Sequence, residues 1–258
     1  MSISPELAAG AVLVSAAVAC GPLAIRAAFW MRPGRQVFFA SWGFGQVLVG
    51  LIAASVAGLL AAGFLGAPWS SLVTLFGLAG GCLVALASAR RAQREPWVAL
   101  GLSRRSLAPR ALAVGPLLAL LAVPAGIGAA LLVGEPTALG PGAAWLPDSA
   151  SGLDPRGLVI FLLIAPLVTE LWFRGFLQPL LVQNFSERGG LLLSAVLFAS
   201  IHGPAAFLPM LALGLALALA KLRTQSTFSA VLGAVLWNAT ALALASFDAG
   251  SIQLPLAL

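Results

Sequence analysis

The chain is short of charge, of histidine and of cysteine. Only 9% of its 258 residues are Asp, Glu, Lys or Arg, where a soluble domain carries about 25%. That shortage excludes an ordinary soluble globular protein. There is one histidine, His202, and there are two cysteines, Cys20 and Cys82, both inside apolar runs. They have no metal-ligand spacing, so the cysteines read as small buried apolar residues. No basic patch is interleaved with aromatics, so the formal charge of +6 does not imply a nucleic-acid partner. No basic segment precedes the first apolar run, so neither a secretory signal peptide nor lipoprotein cleavage before Cys20 is expected. No internal repeat is visible, which gives no support to a transporter built from inverted repeats.

What is there instead is hydrophobic: 60% of the residues, with a mean hydropathy of +1.03. The expected fold class is all-α, a polytopic integral membrane helical bundle of about eight transmembrane helices. The apolar runs are roughly Leu7 to Trp30, Val37 to Leu65, Ser71 to Ala89, Leu112 to Val133, Gly157 to Val182, Leu191 to His202, Phe207 to Ala220 and Phe228 to Phe247. About 20 apolar residues span a bilayer, so the sixth and seventh runs are short or tilted. Between the third and fourth, the Trp97 to Leu102 segment reads as an amphipathic interfacial piece. Three parts are expected within one structural unit: N-terminal helices and connectors over 1–156, a core over 157–247, and a tail over 248–258.

Charge sets the orientation. Alternate loops carry Arg32, Arg35, Arg90, Arg91, Arg94, Arg104, Arg105, Arg110, Arg188, Lys221 and Arg223, whereas the opposite set carries Arg156 with Glu6, Glu135, Asp148, Asp154 and Asp248. By the positive-inside rule the first set is cytoplasmic and both termini are non-cytoplasmic. Arginine far outnumbers lysine, as in GC-rich bacterial genomes, so the membrane expected is a bacterial plasma (inner) membrane.

Polar residues inside the spans are the candidate functional ones. Glu170 and Arg174 stand at i and i+4, on one helix face, and can neutralise each other. A structural ion pair that fixes helix packing is the plainer reading of the two. His202 closes the sixth run, with Phe198 one turn before it. A lone His before Gly-Pro is ordinarily a satisfied core residue. Asn238 lies deep in the last run beside Trp237, and a single intramembrane Asn is ordinarily helix-packing glue. At about 1.5 Å per residue, Glu170 lies roughly 20 Å along its run and His202 roughly 17 Å along its own, with Asn238 about midway along the last. The depths agree, so all three can meet near mid-membrane.

These positions resemble the three motifs of the CAAX protease and bacteriocin-processing family, the CPBP or Abi family, whose members are intramembrane endopeptidases. Its motifs are Glu-Glu-x-x-x-Arg, Phe-x-x-x-His and His-x-x-x-Asn or Asp. Thr169-Glu170-Leu-Trp-Phe-Arg174 with Gly175 is similar to the first, Phe198-Ala-Ser-Ile-His202 fits the second, and Ala234-Val-Leu-Trp237-Asn238 resembles the third. The resemblance covers about residues 157–247, and the Gly101-Leu-x-Arg104-Arg105 stretch resembles the connector before the family core.

What the resemblance implies is a water activated by glutamate and histidine, with an asparagine and a second histidine holding the developing oxyanion. Two positions depart from it. Thr169 stands where the water-activating glutamate is expected, and Ala234 where the second imidazole is expected. Glu170, His202, Asn238 and Arg174, the last as partner of Glu170, are the residues carried over to the catalytic site. Thr169, Phe198, Trp237 and Ala234 are carried over to binding. A conical cavity between the fifth, sixth and eighth spans is expected, lined by Thr169, Glu170, His202 and Asn238. No cofactor is expected. The resemblance allows a single zinc, but one His, one Glu and one Asn make a poor zinc site.

The reading is a degenerate family member with lost or reduced proteolysis that binds a membrane-embedded peptide or protein. Two alternatives stand beside it. One is an active, atypical endopeptidase cleaving a prenylated or leader-type peptide, with Glu170 as base. The other is an unrelated channel or transporter.

Overall fold

The computed structural model describes residues 40, 42–65, 70–92, 96–133 and 155–248. Among the described residues every regular element is helical. The first apolar run, the acidic connector before Pro155, the tail after Asp248 and both termini lie outside them.

Helices α1 (Phe44–Leu65) and α2 (Ser70–Ala92) form a hairpin. Small residues let them close: a Cβ on Gly77 would fall 2.6 Å from the Ala54 carbonyl oxygen, and one on Gly80 3.0 Å from Ala57 Cβ. Helix association in lipid rests on such close backbone packing. A connector follows, with α3 (Pro96–Ala99) and a 3₁₀ turn at Arg104–Leu107. Helix α4 (Pro109–Val133) holds Pro116 and Pro124 and packs on the last two helices.

The motif-bearing helix is built in pieces: α5 (Pro155–Val159), a π segment at Ile160–Ile164, α6 (Ala165–Glu170), a second π segment at Leu171–Leu177, and α7 (Gln178–Ser200). The π segments are seen in their i→i+5 bonds, from Ala165 N–H to Ile160 O and from Gln178 N–H to Phe173 O. The apolar stretch Gly157–Ser200 is 44 residues long. Drawn straight it would reach about 66 Å, twice the roughly 30 Å of a bilayer core. It folds back at Phe185 and Ser186, where Ser186 takes φ 71° and ψ 168°. The two arms touch, because a Cβ on Gly190 would lie 2.4 Å from Val182 N. The fifth and sixth apolar runs are thus two helical arms joined at a non-helical break, Phe185 and Ser186, within the turn expected from the sequence. Helices α8 (Phe207–Thr224) and α9 (Thr227–Asp248) complete the bundle. Four described helical stretches, Pro109–Leu132, Gly157–Ser200, Phe207–Thr224 and Thr227–Leu244, are long and apolar enough to cross a membrane.

The core forms where these helices meet α1 and α2. Trp172 lies in a notch of two glycines, since a Cβ on Gly50 or Gly81 would come within 2.7 and 2.9 Å of its ring. Trp42 donates from Nε1 to the Phe176 carbonyl at 2.9 Å and stacks on the Phe176 ring at 5.1 Å. Cys82 donates from Sγ to Val168 O at 3.3 Å. The outer faces stay apolar: Leu59 is 74% exposed and Leu83 67%. In water that surface would aggregate; in lipid it is at home.

Candidate functional site

The second π segment carries the charge. Arg174 Nε lies 3.2 Å from Glu170 Oε2, and neither side chain has any exposed surface. Two further partners hold the guanidinium: it donates to Ser194 Oγ at 3.1 Å and to Gly214 O at 3.1 Å. Its remaining face lies over the Phe198 ring, 4.8 Å from the centroid, a cation–π contact. The pair is therefore walled by α7 and α8. One turn on, Gln178 donates from Nε2 to Ala218 O at 2.8 Å. Glu170, Arg174 and Gln178 make a polar stripe at i, i+4 and i+8, and Gly214 and Ala218 repeat that spacing on α8. Two of the three stripe residues thus bind carbonyls four residues apart on the neighbouring helix.

Phe198 links this pair to His202. Its ring meets Phe173 edge-on at 5.5 Å and lies 4.7 Å from the His202 ring. His202 Nδ1 is 2.8 Å from Phe198 O. A carbonyl can only accept, so Nδ1 carries the proton and Nε2 is the basic nitrogen of the neutral ring. His202 itself is half-buried, in the turn that ends α7.

The third motif is placed differently. Asn238 donates from Nδ2 to Phe161 O at 2.8 Å, tying α9 to the first π segment. Trp237 packs against α4, where a Cβ on Gly126 would fall 2.2 Å from its ring. It also walls a small apolar recess with Val123, Thr240, Ala241 and Leu244. Ala234 is buried at 6% exposure. Thr169 is half-buried, and its hydroxyl donates to Ala165 O at 2.6 Å.

The contacts therefore join Glu170, Arg174, Phe198 and His202 in one cluster. Asn238 and Thr169 bond to backbone carbonyls of the motif-bearing helix itself, and Trp237 packs on α4. Glu170 differs from the expected cavity lining: it is sealed, because Arg174, Ser194, Gly214 and Phe198 close over the pair. A carboxylate with no exposed surface and a guanidinium already on it is not placed to meet a water molecule. The donor set does not suit zinc either. It offers one imidazole, a carboxylate already held by Arg174, and a neutral amide oxygen, a weak zinc ligand.

Several functional-looking groups escape a reading by spacing. Ser194 and Gly214 lie 20 and 40 residues beyond Arg174 and have no local signal. Gln178 could have been found, four residues past Arg174. Lys221 reads as a cytoplasmic loop charge, yet it is buried at 4% exposure. Its Nζ reaches Thr227 Oγ1 at 3.1 Å, Leu100 O at 3.3 Å and Gln225 O at 3.4 Å. The long aliphatic stem lets it fold back under the connector instead of extending outward.

A bundle with a charge pair sealed inside and bare leucines outside is an integral membrane protein. A family model, type II CAAX prenyl endopeptidase Rce1-like, matches residues 153–240. That segment is similar to an Rce1-like domain, and it contains all three motif positions on which the family resemblance rests. No curated protein and no solved structure matches the chain.

Proposed function

We propose that this CAAX-protease-like membrane protein has lost or greatly reduced hydrolysis and uses its family core to bind a membrane-embedded peptide or protein. One observation carries the reading. At position 169, where family resemblance expects the water-activating carboxylate, a threonine hydroxyl is bonded to its own helix at Ala165 O. The neighbouring carboxylate, Glu170, is fully enclosed with Arg174. Threonine has no general-base pKa near neutrality, and Ala234 can neither donate nor accept a hydrogen bond. His202 keeps a basic Nε2, and with the half-buried Thr169 and Asn238 it leaves polar groups suited to holding a peptide rather than cutting it.

The chain sits in this reading as an eight-span protein of a bacterial inner membrane, with its arginine-rich end toward the cytoplasm. The match to an endopeptidase domain weighs against an unrelated channel or transporter. The discriminating experiment is a survey of protein N-termini in membranes from cells making the wild type or a Glu170→Gln, His202→Ala variant at matched levels. The expected result is no difference, together with a crosslinked partner recovered through a photoreactive residue at Thr169. N-termini that appear only with the wild type would instead establish a working endopeptidase and name its substrate.

A further inference from the structure

We propose that the connector between α2 and α4 is a seat for anionic phospholipid headgroups. The inference rests on the membrane reading of the chain and is independent of whether hydrolysis survives.

The connector has two unlike faces. Its inner face is fixed. Leu100, Gly101 and Ser106 are buried, and the turn between α8 and α9 holds them. Thr227 N–H donates to Gly101 O at 2.9 Å, Ser226 Oγ to Ser106 O at 2.7 Å, and Lys221 reaches Leu100 O. Gly101 has φ +71°, and a Cβ there would fall 1.9 Å from Lys221 Nζ, so only glycine permits this close approach. The described part of the connector, residues 96–108, is thus held before any ligand arrives, which removes that entropic cost from binding.

Its outer face, with the adjoining ends of α2 and α4, carries arginine and bare apolar surface together. Arg90, Arg91, Arg104 and Arg110 are all exposed. Arg90 lies 5.8 Å over the Trp97 ring. Trp97 is 46% exposed and Leu107 48%. The exposed acid described at this end is Glu187, in the bend of the hairpin whose Phe185 meets Phe44 at 6.3 Å. A surface with basic residues in excess favours an anionic partner, and the apolar groups say which one. Leu83 and Leu117 lie about 10 Å along their helices from Arg90 and Arg110 and are 67% and 49% exposed. The basic face is therefore continuous with the hydrocarbon-facing surface. Indole and guanidinium side by side fit the headgroup layer, where aromatic rings anchor and arginines meet phosphate. An acidic soluble protein would leave Trp97 and Leu107 with nothing matching to cover them.

The test uses the full chain in nanodiscs of phosphatidylcholine with rising phosphatidylglycerol. Retained lipid is counted by native mass spectrometry, and Tm is followed in parallel. Phosphatidylglycerol should be enriched over its bulk fraction and raise Tm, and both effects should fade with added salt. Apparent affinity should drop about fivefold for each arginine changed in R90Q, R91Q, R104Q and R110Q variants, while the matching lysine variants keep most of it. Equal retention of the two lipids overturns the proposal. So does a salt-insensitive effect in the wild type, a reading that needs no variant to fold. Equal stabilisation by inorganic phosphate would assign the site to free anion, and equal stabilisation by polyglutamate to an acidic protein; either result also overturns it.

Discussion

Two buried cations show how differently one membrane protein can accommodate charge. Arg174 lies deep in the bundle and has a carboxylate, two hydrogen-bond acceptors and an aromatic face around it. Lys221 lies near the basic end and meets three uncharged oxygens, those of Leu100, Gln225 and Thr227. The arginine cluster is tied to a counter-charge, so neither partner can be removed alone. The lysine cluster is tied to backbone, so its removal strands no opposite charge. The first fixes helices against one another across the segment the family model matches. The second fastens the connector to that segment.

The comparison is sharpest where it predicts unequal losses. Arg174→Ala strands Glu170 in a sealed site and should cost about 3–5 kcal/mol, seen as lost insertion or a large fall in Tm in detergent. Pairing Glu170→Gln with Arg174→Met should recover most of that loss; no recovery would mean that the ion pair is not the source of the cost. Ser194→Ala removes one hydrogen bond from a charged donor and should cost about 2 kcal/mol, with the bundle otherwise intact. Lys221→Met keeps the aliphatic stem, and the hydrogen bonds it loses are offset by removing a buried ammonium that has no counter-charge among its contacts, so a net loss of about 1 kcal/mol is expected. A Lys221→Met loss as large as that of Arg174→Ala would erase the distinction between the two clusters.

The sequence made some of this legible. Hydropathy marked the runs that became α4, α8 and α9, and the i, i+4 spacing put Glu170 beside Arg174, because both signals are local. The partners that close the site are not local. Gly214 contributes a backbone carbonyl, which any residue type would supply, so no letter in the sequence announces it. Gly50, Gly81, Gly115 and Gly126 matter through the room they leave for Trp172, Ser229 and Trp237, and such fit exists only once helices are docked. Lys221 misled for another reason. A positive charge at the end of an apolar run obeys the topology rule whether it reaches outward or folds inward. The position of Trp237 beside Asn238 likewise could not show that the two side chains serve different neighbours, α4 for the indole and Phe161 for the amide.

The spacing of the Arg174 contacts has a consequence for biosynthesis. A ribosome delivers the chain from its N-terminus, so Arg174 reaches the bilayer ahead of Ser194 and Gly214. At that moment Glu170, four residues earlier, is the neutralising group already at hand. The ion pair is the escort that lets the segment leave the translocon, and the later hydrogen bonds are the latch that holds it once α7 and α8 arrive. A segment inserted but not yet docked on α7 and α8 would carry the escort without the latch, and quality-control proteases would meet it in that state.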